Sequence, residues 1–334
     1  MSYTYLGNTG LQVSKICLGA MMFGGQTDVA TAQRIVSKAY DQGVNFIDTA
    51  DMYHSGESER TVGAAIASRR DDWIVATKVG NPMSDRPNEQ GTSRKWIMRA
   101  VEASLERIGT DYIDLLYVHR ADFKAPLGEM VRAFADLIRQ GKVRYFGVSN
   151  FKAWRLAETV RLADEAGIDR PAATQPLYNI VNREAEVEHL PAAAHYGVGV
   201  VTYSPLARGI LTGKYAPGVA PGTDTRAGRA DPRMLQAEWR EESLDVAQAL
   251  ADYAQHTGTT ASALALQWVL ANRAVSSVIC GPRTEAQWDD YMAKARRAWT
   301  SEDEAFIDQL VLPGKTSSLR HLDPHHPVEG RCAG

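Results

Sequence analysis

The chain has 334 residues, longer than an ordinary single domain but within the span of one large α/β barrel. A hydrophobic share of 44% and a charged share of 23% are ordinary for a globular protein, and a formal net charge of −3 gives no reason to expect nucleic acid as a ligand. The opening MSYTYLGNTG lacks the basic start and apolar run of a secretory signal, and no apolar stretch is long enough to span a bilayer, so a cytoplasmic protein with no membrane partner is expected.

In chain order, TYLGNTGLQVS places two short apolar runs around Gly-Asn-Thr-Gly, which predicts an N-terminal hairpin able to cover the bottom of a barrel. Short β-branched or apolar runs then recur. They are KICLGAM from Lys15, NFIDTA from Asn45, WIVATKV from Trp73, IDLLYVH from Ile113, VRYFGVSN from Val143, AATQPLYN from Ala172, GVVTYSP from Gly199 and SSVICGP from Ser276. Helical periodicity fills the intervals. Ile97, Val101, Leu105 and Ile108 share one face, with Ser93 as the expected N-cap and Gly109 as the stop. Leu127, Met130, Val131, Phe134, Leu137 and Ile138 share another, closed by Gly141.

Most of these strands start roughly thirty residues apart, the size of one βαβ crossover, and no side-chain motif repeats with that period. A closed eight-stranded barrel and an open doubly wound sheet both fit such alternation. The eight nearly equivalent units favour a (β/α)8 TIM barrel of the α/β class, with 1–334 as one domain. Cys17 and Cys280 read as small strand residues; with Cys332 they form an odd, unpaired set that predicts neither a disulfide framework nor a thiolate zinc site. The irregular stretch 214–234 is too long for a simple connection and is expected to be a binding loop. The accessory C-terminal segment 313–334, with HLDPHHPVEG, is expected to be a flexible tail.

Side chains at the C-terminal ends of barrel strands converge on one mouth. Asp48 and Tyr53 follow the second expected barrel strand, Lys78 ends the third, and His119 ends the fourth. Singly, each has an ordinary explanation, as a cap, a packing residue, a solvated strand end or a satisfied histidine. Together they bring a carboxylate, a phenol, an ammonium and an imidazole to one mouth. A phenol with a reference pKa of about 10 is a sluggish acid at neutral pH, and a neighbouring ammonium favours phenolate. Asp48 is suited to hold and orient Lys78, while His119 is suited to donate to a carbonyl oxygen as charge develops on it.

The order and local context of these four residues resemble the tetrad of the aldo-keto reductase family. The likeness extends through LGNTGLQVSKICLGAMMFG, GVNFIDTADMYHSGESE, IGTDYIDLLYVHRAD, GKVRYFGVSNF, YSPLARGILTGKY and GPRTEAQWDD. The resemblance implies NADP(H) bound in an extended pose without a Rossmann domain, with NAD(H) as the alternative cofactor. No G-x-G-x-x-G follows the first strand. Carried over position by position, Ser149, Asn150 and Gln175 hold the carboxamide, and Tyr203 stacks on the nicotinamide. Ser204, Leu206, Arg208, Gly209 and Lys214 look like the pyrophosphate clamp. Arg283, Gln287 and Asp290 fall where the family reads the adenosine end, with Arg283 matched to a 2′-phosphate. A departure follows, because Tyr291 stands where the family often has asparagine.

The implied reaction is reduction of an aldehyde or ketone to an alcohol, with Tyr53 as general acid and no metal. Candidate walls for a small carbonyl or alcohol substrate are Met22, Phe23, Met52, His54 and Phe123, suited to aliphatic or aromatic aldehydes, sugars or pyridoxal-like compounds. Two rival readings stand beside this one. One is a nicotinamide-binding regulatory subunit that senses redox state. The other is a metal-dependent hydrolase using Asp48, Asp114 and His119, for which no compact H-x-H or H-E-x-x-H cluster exists. No feature of the sequence sets an oligomeric state.

Overall fold

The structure is a computed structural model that describes residues 1–223, 225–295, 298–318 and 323. Cys332 and the tail from 319 onward, apart from Asp323, lie outside the described residues. The chain forms two compact units. The first comprises Met1–Pro176, Glu188–Tyr203 and Arg273–Asp290; the second comprises Leu177–Val187, Ser204–Asn272 and Tyr291–Gly334.

In the first unit, β1 (Tyr3–Tyr5) and β2 (Gln12–Ser14) pair antiparallel, as the Gly-Asn-Thr-Gly turn predicts. Eight parallel strands follow: β3 (Ile16–Gly19), β4 (Phe46–Asp48), β5 (Ile74–Val79), β6 (Ile113–Val118), β7 (Val143–Ser149), β8 (Ala173–Gln175), β9 (Gly199–Thr202) and β10 (Ser277–Cys280). They close in sequence order, with β10 pairing back onto β3, so the barrel is realised and the open sheet is not. The crossovers are α1 (Val29–Asp41), α2 (Glu57–Ile66), α3 (Arg94–Ile108), α4 (Leu127–Arg139), α5 (Ala153–Ala166) and α6 (His189–Tyr196). α3 begins at Ser93, whose side chain accepts from the Trp96 N–H, and ends at Gly109 with φ of 74°; Gly141, at φ 73°, follows α4.

Phe46, Ala76, Leu115, Tyr117, Ala173 and Val201 make the barrel interior, and Leu6 and Val13 of the hairpin join this cluster. The hairpin therefore covers the barrel end at which the strands begin. The backbone N–H of Asn8 donates to the Gly197 carbonyl at 2.7 Å just before β9. Gly147 in β7 is required by the ring of Tyr117, since a Cβ there would lie 2.7 Å from it. Cys17 and Cys280 are buried, free strand residues.

In the second unit, α7 (Pro232–Ala237) and α8 (Glu241–His256) precede α9 (Ala261–Ala271), and α11 (Ser301–Leu310) lies beyond α10 (Glu285–Lys294), which starts in the first unit. Asp231 caps α7 ahead of Pro232, and Thr300 with Asp303 forms a capping box on α11. Tyr178 lies against Trp268 of α9, ring centroids 4.8 Å apart. Among the described residues of 214–234, only the start of α7 is regular helix. No helix among the described residues is long and apolar enough to cross a membrane.

Candidate active site

Strand periodicity builds the site. Side chains at i and i+2 share a face, so the interior row Phe46, Ala76, Tyr117, Ala173 and Val201 continues, two residues on, to Asp48, Lys78, His119, Gln175 and Tyr203. One layer of packed core thus becomes, 6–7 Å further along the strands, one layer of polar side chains at the strands' C-terminal ends.

Lys78 has no exposed side-chain surface, and Asp48 is 3% exposed. The three donors of the ammonium are all used. One goes to Asp48 Oδ1, one to the Thr49 carbonyl at 2.8 Å and one to the Tyr53 hydroxyl at a longer 3.4 Å. The second Asp48 oxygen accepts from Gln175 Nε2 at 2.9 Å. Burial alone would drive the Lys78 pKa down, but the charge of Asp48, with Tyr53 and the hydrogen bonds to both, outweighs it and holds the ammonium above the ordinary lysine value. The charge facing Tyr53 is therefore permanent at physiological pH.

The rings of Tyr53 and His119 meet edge to face, with centroids 5.6 Å apart. Burial, with Lys78 and Arg120 adding to it, pushes the His119 imidazole well below its usual pKa, so it is neutral near pH 7. Its buried Nδ1 has no hydrogen-bond partner among the described residues. Tyr53 is aimed by unusual backbone: His54, Ser55 and Gly56 follow it with φ of 48°, 56° and 95°. A non-glycine residue in that region costs about 1–2 kcal/mol, so packing holds the turn. The space over Gly25 holds the His54 ring, where a Cβ would approach it to 2.0 Å, and Gly56 lies against the Arg107 side chain.

Two residues before Tyr53 lies a buried carboxyl that the sequence reading did not single out. Asp51 is 1% exposed, and burial with the nearby charge of Glu59 raises its pKa to about 8, against the opposing influence of Arg107 and Lys78. Glu59 is itself buried, bonded to Thr77 and, at 2.6 Å, to Arg107. Asp51 was legible in NFIDTADMY only as an acidic residue; its burial was not.

Ser149, Asn150 and Gln175 form one hydrogen-bonded group. Ser149 Oγ donates to the Gln175 carbonyl at 2.8 Å, and Asn150 Nδ2 lies 2.9 Å from the His119 carbonyl and 3.0 Å from Ser149 Oγ. Tyr203 donates its hydroxyl to Asn150 Oδ1 at 2.8 Å. Asp114, by contrast, begins β6 at the opposite end of the strand from His119 and pairs with Arg70 at 2.7 Å, so Asp48, Asp114 and His119 do not form a cluster. Among the described residues no group of three or more metal-ligating side chains converges.

A family model for the aldo/keto reductase family matches residues 15–311. The chain belongs to the aldo/keto reductase family. An uncharacterized oxidoreductase, YrpG, of Bacillus subtilis is 41% identical over 303 residues, covering 87% of this chain and 90% of that one. A probable voltage-gated potassium channel subunit beta of Arabidopsis thaliana is 38% identical, covering 87% and 90%. An L-glyceraldehyde 3-phosphate reductase of Escherichia coli is 33% identical, covering 94% of each chain. An aldo/keto reductase is an oxidoreductase of small carbonyl compounds, and the family generally uses a nicotinamide nucleotide.

The remaining expected positions of this aldo/keto reductase lie as follows. In the first unit, Gln287 Oε1 accepts from the backbone N–H of Arg283 at 2.8 Å, and Thr27 donates to the Arg283 carbonyl at 3.0 Å. The Arg283 guanidinium forms no ion pair or hydrogen bond among the described residues, and Asp290 is exposed. In the second unit, Ser204, Ala207, Arg208 and Gly209 have φ of 58°, 46°, 53° and 100°, the turn containing Leu206 and leading to Lys214. Of the expected walls, Met52 and Phe123 are 39% and 60% exposed and His54 is exposed, whereas Met22 is 9% exposed and Phe23 is wholly buried.

Proposed function

We propose that this aldo/keto reductase reduces an aldehyde or ketone with NADPH, with Tyr53 as the general acid. The observation that carries the reading is Lys78 Nζ, fixed by Asp48 and Thr49 and reaching the Tyr53 hydroxyl at 3.4 Å beside the neutral His119 ring. The residues fit a dinucleotide. In the first unit, the polar groups of Ser149, Asn150 and Gln175 end adjacent strands, Tyr203 offers a ring, and Arg283 offers a 2′-phosphate a guanidinium that has no partner among the described residues, with Gln287 and Asp290 beside it in sequence. In the second, the left-handed turn through Ser204, Leu206, Arg208 and Gly209, with Lys214, offers backbone N–H groups and cations for phosphates. Bound there, the nucleotide supplies hydride to the carbonyl carbon.

The chain's own groups manage the proton and the charge. Tyr53 gives its hydroxyl proton to the carbonyl oxygen, and the positive charge of Lys78 stabilises the phenolate left behind. Asp48 keeps Lys78 charged and immobile. His119, uncharged, donates a hydrogen bond to the same oxygen without competing as an acid. The exposed Met52, His54 and Phe123 suit a small carbonyl compound with apolar and polar parts.

General acid catalysis contributes about 10²–10⁴-fold, so Tyr53→Phe should lower turnover by that order while NADPH still quenches tryptophan fluorescence. Turnover within a few-fold of the parent would refute the assignment. Separate NADPH and NADH titrations, repeated in Arg283→Ala, test the cofactor; selective loss of NADPH affinity is the expected result. A screen should include short aldehydes, sugars, pyridoxal-like compounds and, from the name of the Escherichia coli relative, a phosphorylated triose. The second reading, a nicotinamide-binding regulatory subunit, is favoured by the 38% and 37% identities to the plant channel subunits. Nucleotide binding without turnover on any carbonyl would favour it.

A further inference from the structure

The second unit contains a buried polar network that the reaction chemistry does not use. Glu238, at the end of α7, has no exposed surface. Its Oε2 accepts from Asn182 Nδ2 at 2.7 Å, and its Oε1 has no hydrogen-bond partner among the described residues. The same Asn182 amide reaches Asn179 Oδ1 at 3.1 Å, and Asn179 Nδ2 donates to the Ser204 carbonyl at 2.9 Å. Arg240 holds the other side of Asn182, donating to its Oδ1 at 2.6 Å, and comes within 4.0 Å of Glu238. A chain of side chains thus runs from a buried carboxylate to the first residue of the left-handed turn 204–209.

A second feature lies at the far end of that turn. Arg208 has φ of 53° and a buried Nε without a partner, and it forms no ion pair among the described residues. Burial raises the Glu238 pKa above the ordinary carboxylate value; Arg208, ahead of Arg240, opposes that rise and Asp323 adds to it, and the charge of Arg208 also acts on Asp231 and Arg226. Burying a carboxylate oxygen and a guanidinium nitrogen without partners costs several kcal/mol. Such groups persist where a ligand or an exchange of partners makes use of them.

We propose that Glu238 is a positioning residue for the nucleotide's phosphates, holding the 204–209 turn through Asn182 and Asn179 and competing electrostatically with the bound phosphates for Arg208. The inference rests on the nucleotide-binding reading above. Its two parts have opposite consequences. The bridge preorganises the turn and strengthens binding, whereas the negative charge opposes a second anion beside Arg208 and speeds its release.

The test uses the full chain with NADPH as probe, comparing Glu238→Gln, Glu238→Ala and Asn182→Ala. Glutamine keeps an oxygen for the Asn182 amide and loses only the charge. It should bind NADPH about five-fold more tightly, chiefly through a slower off-rate. The two alanine variants should bind about ten-fold more weakly, with faster amide hydrogen exchange across 204–213 in the nucleotide-free protein. Thermal unfolding identifies any variant that has lost its fold, and the isosteric glutamine variant carries the test if an alanine variant does. Glutamine and alanine variants shifting affinity in the same direction would overturn the inference, as would unchanged exchange over 204–213 in folded Asn182→Ala. A parent chain that binds neither NADPH nor NADH would defeat the nucleotide reading instead, and the exchange experiment would still decide whether the bridge holds the turn.

Discussion

Asp51→Asn provides the sharpest test of the buried electrostatics around Glu59 and Arg107. In the unfolded chain Asp51 ionises near 3.8; in the folded protein burial and Glu59 hold it protonated up to about pH 8. Between those values the native state carries a proton that the unfolded state has released, so stability falls as pH rises through the window and levels off above the folded pKa. A rise from 3.8 to about 8, at about 1.4 kcal/mol per pH unit, sets an upper limit of ~6 kcal/mol on this loss. Asparagine has nearly the same shape and no charge to lose. Denaturant unfolding of both proteins at pH 5, 6, 7, 8 and 9 should show the parent losing stability relative to Asp51→Asn by up to about 4 kcal/mol across the series, since about three pH units of the window lie within it. An offset common to all pH values reflects the amide's own hydrogen bonding; the difference in slope is the quantity that matters. Parallel curves would refute a protonated Asp51. Because the Asp51 N–H donates to the Lys78 carbonyl at 3.1 Å, the variant should also alter any change in turnover near pH 8, which would link this carboxyl to the tetrad.

Other outcomes follow from the same geometry. His189, bonded to Thr174 at 2.8 Å, is held by burial and by Lys152 at a pKa of about 4, below its ordinary 6.5. The native imidazole stays neutral while the unfolded one gains a proton, so its contribution, up to about 3 kcal/mol, is lost as pH falls from 6.5 towards 4. His189→Gln should flatten acid unfolding over that window. Gly63→Ala would place a Cβ 2.0 Å from the Ile108 carbonyl oxygen at the end of α3. The backbone must shift, at a cost of about 1–3 kcal/mol, and a thermal midpoint equal to the parent's would count against so close an approach of α2 and α3. Lys78→Met should cost about 3–5 kcal/mol, because it leaves Asp48 as a buried carboxylate with its main counter-ion removed, and should abolish turnover together with stability.

The sequence by itself determined the alternation of strands and helices, the hairpin and the placement of Asp48, Lys78 and His119 at strand ends, because each depends on local periodicity. A strand's inward row is read at every second residue, and its continuation past Phe46, Ala76 and Tyr117 names Asp48, Lys78 and His119. Helix ends at Ser93, Gly109 and Gly141 were legible for the same reason, since a cap is a contact between near neighbours. Closure of β10 onto β3 rested on a count of eight in the sequence, and only the pairing of two distant strands decided it. The tertiary structure alone revealed that Gln175 donates to Asp48, that Asp51 is buried under the influence of the Glu59 and Arg107 charges, that Phe23 is enclosed while Phe123 is exposed, and that Glu238 reaches Ser204 through two asparagines. The farthest of those contacts, Gln175 to Asp48, joins residues 127 positions apart, and the burial that sets the charge states is a property of everything packed around them. A linear pattern specifies which face a side chain occupies, but desolvation and partner choice arise only when other segments close over that face.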